Sequence, residues 1–403
     1  MKTFFRALTL GILMVVLTGG LATSTNAQDD EKTTLYTTYT DNYASPEIEK
    51  RRLAVTAAKE YIAKFGNSAD DKEIVDYLKS AIPAIEKGIE DQIAKEKAAA
   101  ERAVKQARYN KFDASFKAKN WDATYQVGQE IIAAEPKMLD VALVLGSIGL
   151  DEASKNPPND KFNEATVKYA TLAIELMNSG VTSKNYGAFA IYEYETADNA
   201  KGWMNYNAGM IMYHREGRTN PAIKKDALNY LYASTQSNSD RKDEPRTYGS
   251  IGEWYFNEAS TLVAKRNVIL TESKKLIDER NKTKVKEEQD ELDKKIDALE
   301  ARIDDSIALE KAYADRALDA YARAYNLAKA NPKETADYKN SLMSAINALY
   351  SFRYVEPAMK TPEKINMYLS GVMSKPMPHP ATAVTPVVDT PTSVSAPAKT
   401  GNR

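Results

Sequence analysis

The chain has 403 residues, of which 43% are hydrophobic and 28% charged, and its 55 basic and 56 acidic side chains almost cancel. This balance excludes the strongly basic domain that is typical of nucleic-acid binding. The sequence contains no cysteine, which excludes disulfides, thiolate metal sites and a lipid anchor on cysteine. A chain of this length and hydrophobic content can bury a core large enough to hold it without disulfides.

The first 27 residues have the layout of a secretory signal. Lys2 and Arg6 form a basic start, residues 7–21 are almost wholly apolar, and small residues stand at positions 25 and 27. The alternative, a membrane anchor, is disfavoured because the apolar run is shorter than the roughly 20 residues that a span needs. We therefore expect cleavage after Ala27, a periplasmic or secreted location, and no integral membrane segment in the mature protein.

The next stretch divides into a linker and a group of N-terminal helices. Residues 28–45 are polar and rich in Thr and Tyr, with no period, and are interpreted as a linker. Helices are predicted over residues 46–104, since Ser45-Pro46 offers a cap and a favoured first helical residue. Pro83 is expected to kink or end one of these helices. The charged, alanine-rich residues 84–119 predict a long exposed helix.

Residues 105–373 show repeated pairs of apolar helical patterns. Three times an aliphatic or small residue directly precedes a glycine within such a pattern: Leu145-Gly146, Ala208-Gly209 and Ile251-Gly252. Glycine at these positions lets a neighbouring helix approach where any Cβ would collide. The pattern therefore predicts stacked helical hairpins.

The third of these pairs lies in Tyr248-x2-Ile251-Gly252-x2-Tyr255. This segment resembles the first helix of a tetratricopeptide repeat, whose pattern is aromatic-x2-Leu-Gly-x2-Tyr. Ala320 and Pro332 have the spacing of the second helix of the same repeat. The intervals between the glycine pairs exceed the roughly 34 residues of the family, so the repeats are degenerate and carry insertions. The resemblance covers about residues 105–332.

The largest insertion, about residues 265–310, is dense in Lys, Glu and Asp. Apolar residues recur there and in the flanking turns at heptad spacing: Leu262, Ile269 and Leu276, then Leu292, Ile296, Leu299 and Ile303. Both halves lie between the two helices of one hairpin, so we expect an antiparallel coiled-coil hairpin with its tip near residues 281–286. The alternative is one continuous charged helix.

The C-terminal part predicts two more helices and a tail. Residues 335–354 form an amphipathic pattern, and a shorter helix is expected after Thr361-Pro362, as a cap on the last apolar face. From residue 374 to 403 the chain is mostly Pro, Thr, Ser, Val and Ala. This composition cannot bury a core of its own and predicts disorder.

The sequence carries no recognisable catalytic or metal-binding set. Its two histidines are His214, at the end of a repeat helix, and His379, in the tail. One ordered histidine cannot build the usual histidine-rich zinc site. No segment has the spacing of an EF-hand, a phosphate-binding loop, a serine nucleophile elbow or a kinase motif. We therefore expect no enzyme, metal or cofactor.

One aromatic cluster invites a specific site. Its candidate binding residues are Tyr192, Tyr194, Trp203, Tyr206 and Tyr213. Exposed rings in a groove could stack against sugars or hold a peptide. Repeat helices also use aromatic residues for packing, and the sequence leaves both interpretations open.

Together these features predict an all-α, tetratricopeptide-like helical-hairpin solenoid with an inserted antiparallel coiled-coil hairpin. The resemblance implies a scaffold that presents a concave surface to a protein or peptide partner. The alternative function is that of a glycan-binding helical-repeat protein with an aromatic platform. Such receptors are usually lipid-anchored, and the absence of cysteine counts against this alternative.

Overall fold

A computed structural model describes residues 26–184, 186–187 and 192–387, with side chains from residue 28 onward. The described part is all-helical and contains no strand, which confirms the predicted all-α class. The proposed signal at residues 1–25 lies outside the described residues. The helices are α1 (Asn26–Asn42), α2 (Ile48–Phe65), α3 (Lys72–Lys117), α4 (Trp121–Ala134), α5 (Leu139–Ala153), α6 (Asn163–Asn178), α7 (Ala197–His214), α8 (Pro221–Gln236), α9 (Pro245–Lys282), α10 (Lys286–Ala330), α11 (Ala336–Arg353) and α12 (Pro362–Val372).

Helix α1 occupies the residues predicted to be a linker, and that prediction is wrong. Tyr39 is 1% exposed, and Leu35 and Tyr36 pack against the same apolar cluster as residues of α2 and α3. The hydroxyls of Thr33 and Thr34 each donate to the backbone carbonyl four residues earlier. Threonine is a weak helix former, so its abundance concealed a helix that tertiary packing stabilises.

Helix α3 continues through Pro83, contrary to the expected kink or end. Proline removes one helical hydrogen bond and disfavours the preceding turn. Ile82 and Ile89, on either side of Pro83, are buried in the cluster that contains Tyr39. Their burial offsets the local cost of the proline. By its contacts the chain divides into two compact units, one ending at Arg108 and the other beginning at Tyr109.

In the second unit consecutive helices pack against each other from α4 to α11, and α12 packs against α10. Helices α5 and α6, α7 and α8, and α9 and α10 form three consecutive pairs. The first helices of neighbouring pairs also touch, α5 with α7 and α7 with α9. One buried cluster centres on α5 and α6, and another on α9, α10 and α11. The first helices of successive pairs therefore lie side by side.

Each glycine singled out in the sequence faces the second helix of its own pair. The contacts are Gly146 with Ala170 of α6, Gly209 with Leu231 of α8, and Gly252 with Tyr321 of α10. A Cβ on any of the three would come within 2.8 Å of its neighbour, closer than real Cβ atoms approach. The preceding residues Leu145, Ala208 and Ile251 have no exposed surface. The close helix packing therefore depends on these glycines.

Helices α9 and α10 are the longest pair and run antiparallel. Only residues 283–285 connect them, so the alternative of one continuous helix is wrong. Ion pairs join Arg266 to Glu310 and, nearer the connection, Arg280 to Asp293. From the first ion pair to the second, the residue number rises on α9 and falls on α10. The two helices therefore lie side by side and run in opposite directions.

After α12 an extended segment, residues 374–387, lies on the helices. Met377 is buried, and Val384 packs against the cluster centred on α9, α10 and α11. The Arg323 Nη2 donates to the carbonyl of Lys375 over 2.8 Å, and the Val387 amide donates to that of Ala308 over 3.0 Å. The disorder predicted from residue 374 is therefore wrong for residues 374–387, since a segment without its own core can dock on another. Residues 388–403 lie outside the described part.

Within the described residues, no helix combines the length and the apolar character that crossing a membrane requires.

Candidate functional site: a basic groove

An open groove of about 490 Å³ lies across the first helices of successive pairs in the second unit. Its walls come from the C-terminal ends of α5 and α7 and the N-terminal parts of α9 and α11, with Tyr321 from α10. We call it the basic groove, and its main lining residues are Leu150, Met210, His214, Arg215, Arg218, Arg246, Glu253, Tyr338 and Leu342. The set combines apolar side chains with three guanidinium groups.

Two of the arginines are held in place by protein contacts. Arg215, which follows α7, donates from Nε to Asp160 Oδ1 over 2.6 Å and from Nη2 to the carbonyl of Ala153 over 2.9 Å. Arg246, in the first turn of α9, donates to Glu334 Oε2 over 3.1 Å and stacks on the Tyr338 ring with 4.8 Å to its centroid. Their guanidinium groups are thus positioned before any ligand arrives.

Arg218 differs from the other two arginines. It is exposed, and its guanidinium makes no hydrogen bond or ion pair with any residue in the described part of the chain. Arginine presents five N–H donors in a planar fork that matches carboxylates. The donors of Arg218 are therefore available to an anionic group in the groove.

His214 lies between these cations and is neutral. Its Nε2 is 2.8 Å from Ser250 Oγ, and Ser250 Oγ donates its own proton to the carbonyl of Arg246. The histidine must therefore donate from Nε2, which fixes the tautomer. Burial and the nearby cations, Lys224, Arg218, Arg215 and Arg246, lower the pKa of His214 to about 4. The imidazole is therefore uncharged at pH 7.

The low pKa of His214 predicts a specific dependence of stability on pH. Between about pH 6.5 and pH 4 the unfolded chain takes up a proton at this position and the folded chain does not. Acidification should therefore lower the free energy of unfolding, by up to about 3 kcal/mol from this group. His214→Gln should remove that part of the loss. Urea unfolding at pH 7 and pH 4.5, with His379→Gln as the control, measures it, and equal losses in wild type and His214→Gln would contradict the assignment.

The aromatic residues proposed as a site do not line the groove. Tyr192, Tyr194, Tyr206 and Tyr213 are all at most 8% exposed. The Tyr192 hydroxyl donates to Asp151 Oδ2 over 2.6 Å, and the Tyr194 hydroxyl is hydrogen-bonded to Ser147. Packing accounts for these four tyrosines, and hydrogen bonds within the protein add to it at Tyr192 and Tyr194, whereas the buried Tyr213 hydroxyl has no hydrogen-bond partner among the described residues.

Trp203 is half-buried and lies between neighbours. Its ring is 5.8 Å from that of Tyr194 and 6.4 Å from that of Tyr206, centroid to centroid. The guanidinium of Arg241 covers the indole at 3.8 Å and also approaches Tyr206 at 4.7 Å. Stacking on a sugar needs an exposed ring face, and the five candidate residues do not supply one. The hypothesis of an aromatic platform is therefore corrected to an internal cluster capped by arginine.

Sequence reasoning missed the basic groove because no period links its parts. Arg215 and Arg218 read as ordinary turn residues after α7, and Arg246 as one of many charges near a helix start. Tyr338 lies more than 90 positions after Arg246 in the sequence. The residues meet only because the first helices of successive pairs lie side by side. The one usable signal was the pair of arginines, Arg215 and Arg218, that closely follows His214.

Within the described residues, no group of His, Asp or Glu side chains is placed to hold a metal ion. No protein-family model, curated protein or solved structure matches the chain. The tetratricopeptide resemblance therefore stays a prediction from motifs, and the candidate site stands on its residues alone.

Proposed function

We propose that this chain is an exported, non-enzymatic scaffold that binds an extended segment of a protein partner in the basic groove. The observation that carries the proposal is the open groove across the first helices of consecutive pairs. In a tetratricopeptide-like solenoid, which is part of the proposal, these helices form the concave surface. Export rests on the signal-like layout of the first 27 residues.

The chemistry of the groove favours an acidic segment. Three arginines converge there, and Arg218 has its donors available. Charge-assisted bonds between guanidinium and carboxylate are stronger than neutral hydrogen bonds and are often bidentate. Leu150, Met210 and Leu342 add apolar surface that can bury one or two side chains of the ligand. A volume of about 490 Å³ suits a short stretch of peptide.

Binding of short peptides to the full chain tests this function. Labelled octapeptides rich in Asp, Glu and Leu should bind, while the same peptides with Asn and Gln in place of the acids should bind at least tenfold more weakly. Arg218→Ala should weaken binding of the acidic peptides by about tenfold or more, because one charge-assisted contact contributes about 1.5–3 kcal/mol. Fluorescence anisotropy measures both comparisons.

Lys225 is an exposed lysine on α8 outside the groove, so Lys225→Ala is the matched control for the loss of one positive charge. It should leave the affinity unchanged. If Lys225→Ala and Arg218→Ala weaken binding equally, the peptides bind through general charge attraction and the groove is not the site. Binding of oligosaccharides with no binding of any peptide would favour the glycan alternative.

A further inference from the structure

Helix α9 carries two apolar rows at seven-residue spacing. The row Leu262, Ile269 and Leu276 was recognised in the sequence. The second row is Phe256, Val263, Leu270 and Ile277. Phe256, Leu270 and Ile277 are 38%, 37% and 38% exposed, and Val263 is half-buried. Exposed large side chains at such a regular interval form a stripe, whereas isolated exposed apolar residues are ordinary.

The stripe runs along the edge of the contact between α9 and α10. Arg266 and Arg280 pair with α10, and Ser273 between them is buried, so these residues mark the face of α9 that meets α10. Each stands three residues after a member of the stripe, which is about 60° around the helix. A seven-residue spacing drifts by only about 20° per heptad. The stripe therefore stays beside the helix–helix contact over its whole length.

The neighbouring edge of α10 is acidic. Asp293 pairs with Arg280 and so lies beside the contact with α9. The other edge of the contact is lined by Leu262 and Ile269 of α9 and by Arg302 of α10. Arg302 stands nine residues after Asp293, on the opposite side of α10, so Asp293 lies on the edge that carries the stripe. Four, seven and eleven residues later on the same face stand Asp297, Glu300 and Asp304. All three are exposed, and their side chains make no ion pair or hydrogen bond with any residue of the described ranges. An uncovered apolar row on α9 thus lies next to a row of free carboxylates on α10.

We propose that this edge of the α9–α10 pair binds an amphipathic helix of a protein partner, with apolar residues at heptad spacing and Lys or Arg beside them. The partner helix would lie in the groove between the two rows and form a three-helix coiled coil. The stripe spans residues 256–277, about 30 Å of helix, which matches a partner of about three heptads. This surface is separate from the basic groove and selects the opposite charge.

Charge complementarity decides between the possible occupants. A second copy of this chain would bring another row of carboxylates next to Asp297, Glu300 and Asp304. On the side of the stripe away from α10, Lys274 is the cation, and its neighbours Ser260, Asn267 and Asn281 are uncharged. A second copy would therefore supply little positive charge for these carboxylates. An anionic membrane would be repelled by Asp297, Glu300 and Asp304. A basic helix satisfies the carboxylates and covers the apolar row at the same time.

Two designed peptides test the proposal on the full chain. Both have three heptads with Leu and Ile at the core positions, and one carries Lys and Arg beside them while the other carries Glu. We expect the basic peptide to bind and to gain helicity by circular dichroism, and the acidic peptide to bind at least tenfold more weakly. Failure of the basic peptide to bind would overturn the proposal.

Variants separate the two rows. Leu270→Ser with Ile277→Ser should weaken the basic peptide at least tenfold, while Val268→Ser, a change at the 70% exposed residue on another face of α9, should not. Glu300→Lys with Asp304→Lys should reverse the preference toward the acidic peptide. Thermal melts check that each variant remains folded, since all these side chains are exposed.

Two results would overturn the proposal. If the stripe variant binds the basic peptide as tightly as wild type, the attraction is purely ionic and the apolar row is not an interface. If sedimentation shows a dimer that Leu270→Ser with Ile277→Ser abolishes, the stripe pairs two copies of this chain. Binding of acidic octapeptides to these variants is measured in parallel, so that failure at the hairpin is distinguished from failure of the basic groove.

Discussion

Gly146→Ala should destabilise the chain by about 1–3 kcal/mol, although alanine is a better helix former than glycine by about 1 kcal/mol. The new Cβ would lie 2.8 Å from the Cα and backbone nitrogen of Ala170 and from the sulfur of Met204. A flexible side chain could move away, but the backbone of α6 cannot move without separating from α5. Urea unfolding followed by circular dichroism gives the difference.

Gly371→Ala is the matched control, because it makes the same change in a helix where a Cβ meets nothing within 4 Å. It should stabilise the chain by about 0.5–1 kcal/mol through helix propensity alone. If both variants shift the unfolding midpoint upward, α5 and α6 do not approach as closely as described.

Arg266→Leu should lower the free energy of unfolding by about 3–5 kcal/mol. The Glu310 side chain has no exposed surface, and its Oε1 accepts from Arg266 Nε over 2.8 Å and from Ser306 Oγ over 3.0 Å. Its Oε2 has no hydrogen-bond partner among the residues that the structure describes. Removing the arginine leaves a buried carboxylate without its compensating charge, which is costly.

The same two helices offer a matched control in Arg280 and Asp293. Their side chains are 43% and 41% exposed, so Arg280→Leu should cost less than about 1 kcal/mol. The double change Arg266→Leu with Glu310→Leu should recover most of the loss, since no buried charge remains. Equal effects of Arg266→Leu and Arg280→Leu in urea unfolding would show that Glu310 is hydrated.

Local pattern predicted the helices of the second unit well where apolar period and glycine spacing agreed. The Ile251-Gly252 pair predicted a helix where α9 begins, and the break at residues 283–285 falls within the predicted tip at 281–286. These features depend on neighbours within one or two turns. The Thr-rich α1 and the continuation of α3 through Pro83 depend on packing partners that are distant in the sequence, such as Tyr39 with residues of α2 and α3. Local pattern does not report such partners, and both predictions were wrong.

The candidate site was the least predictable part. Its cations come from the end of α7 and the start of α9, and its aromatic wall from α11. No spacing rule connects Arg218, Arg246 and Tyr338. The aromatic residues that composition did highlight, such as Tyr194, turned inward because a buried ring gains more from packing than from water.

The extended segment at residues 374–387 has a consequence for the order in which this protein folds during synthesis. Met377 and Val384 cover the apolar cluster of α9, α10 and α11, yet they are synthesised after all three of these helices. Until they emerge from the ribosome, apolar surface on these helices is uncovered, and uncovered apolar surface is what chaperones bind. A nascent chain halted before residue 374 should therefore be retained as a chaperone client, and release should coincide with synthesis of residues 374–387.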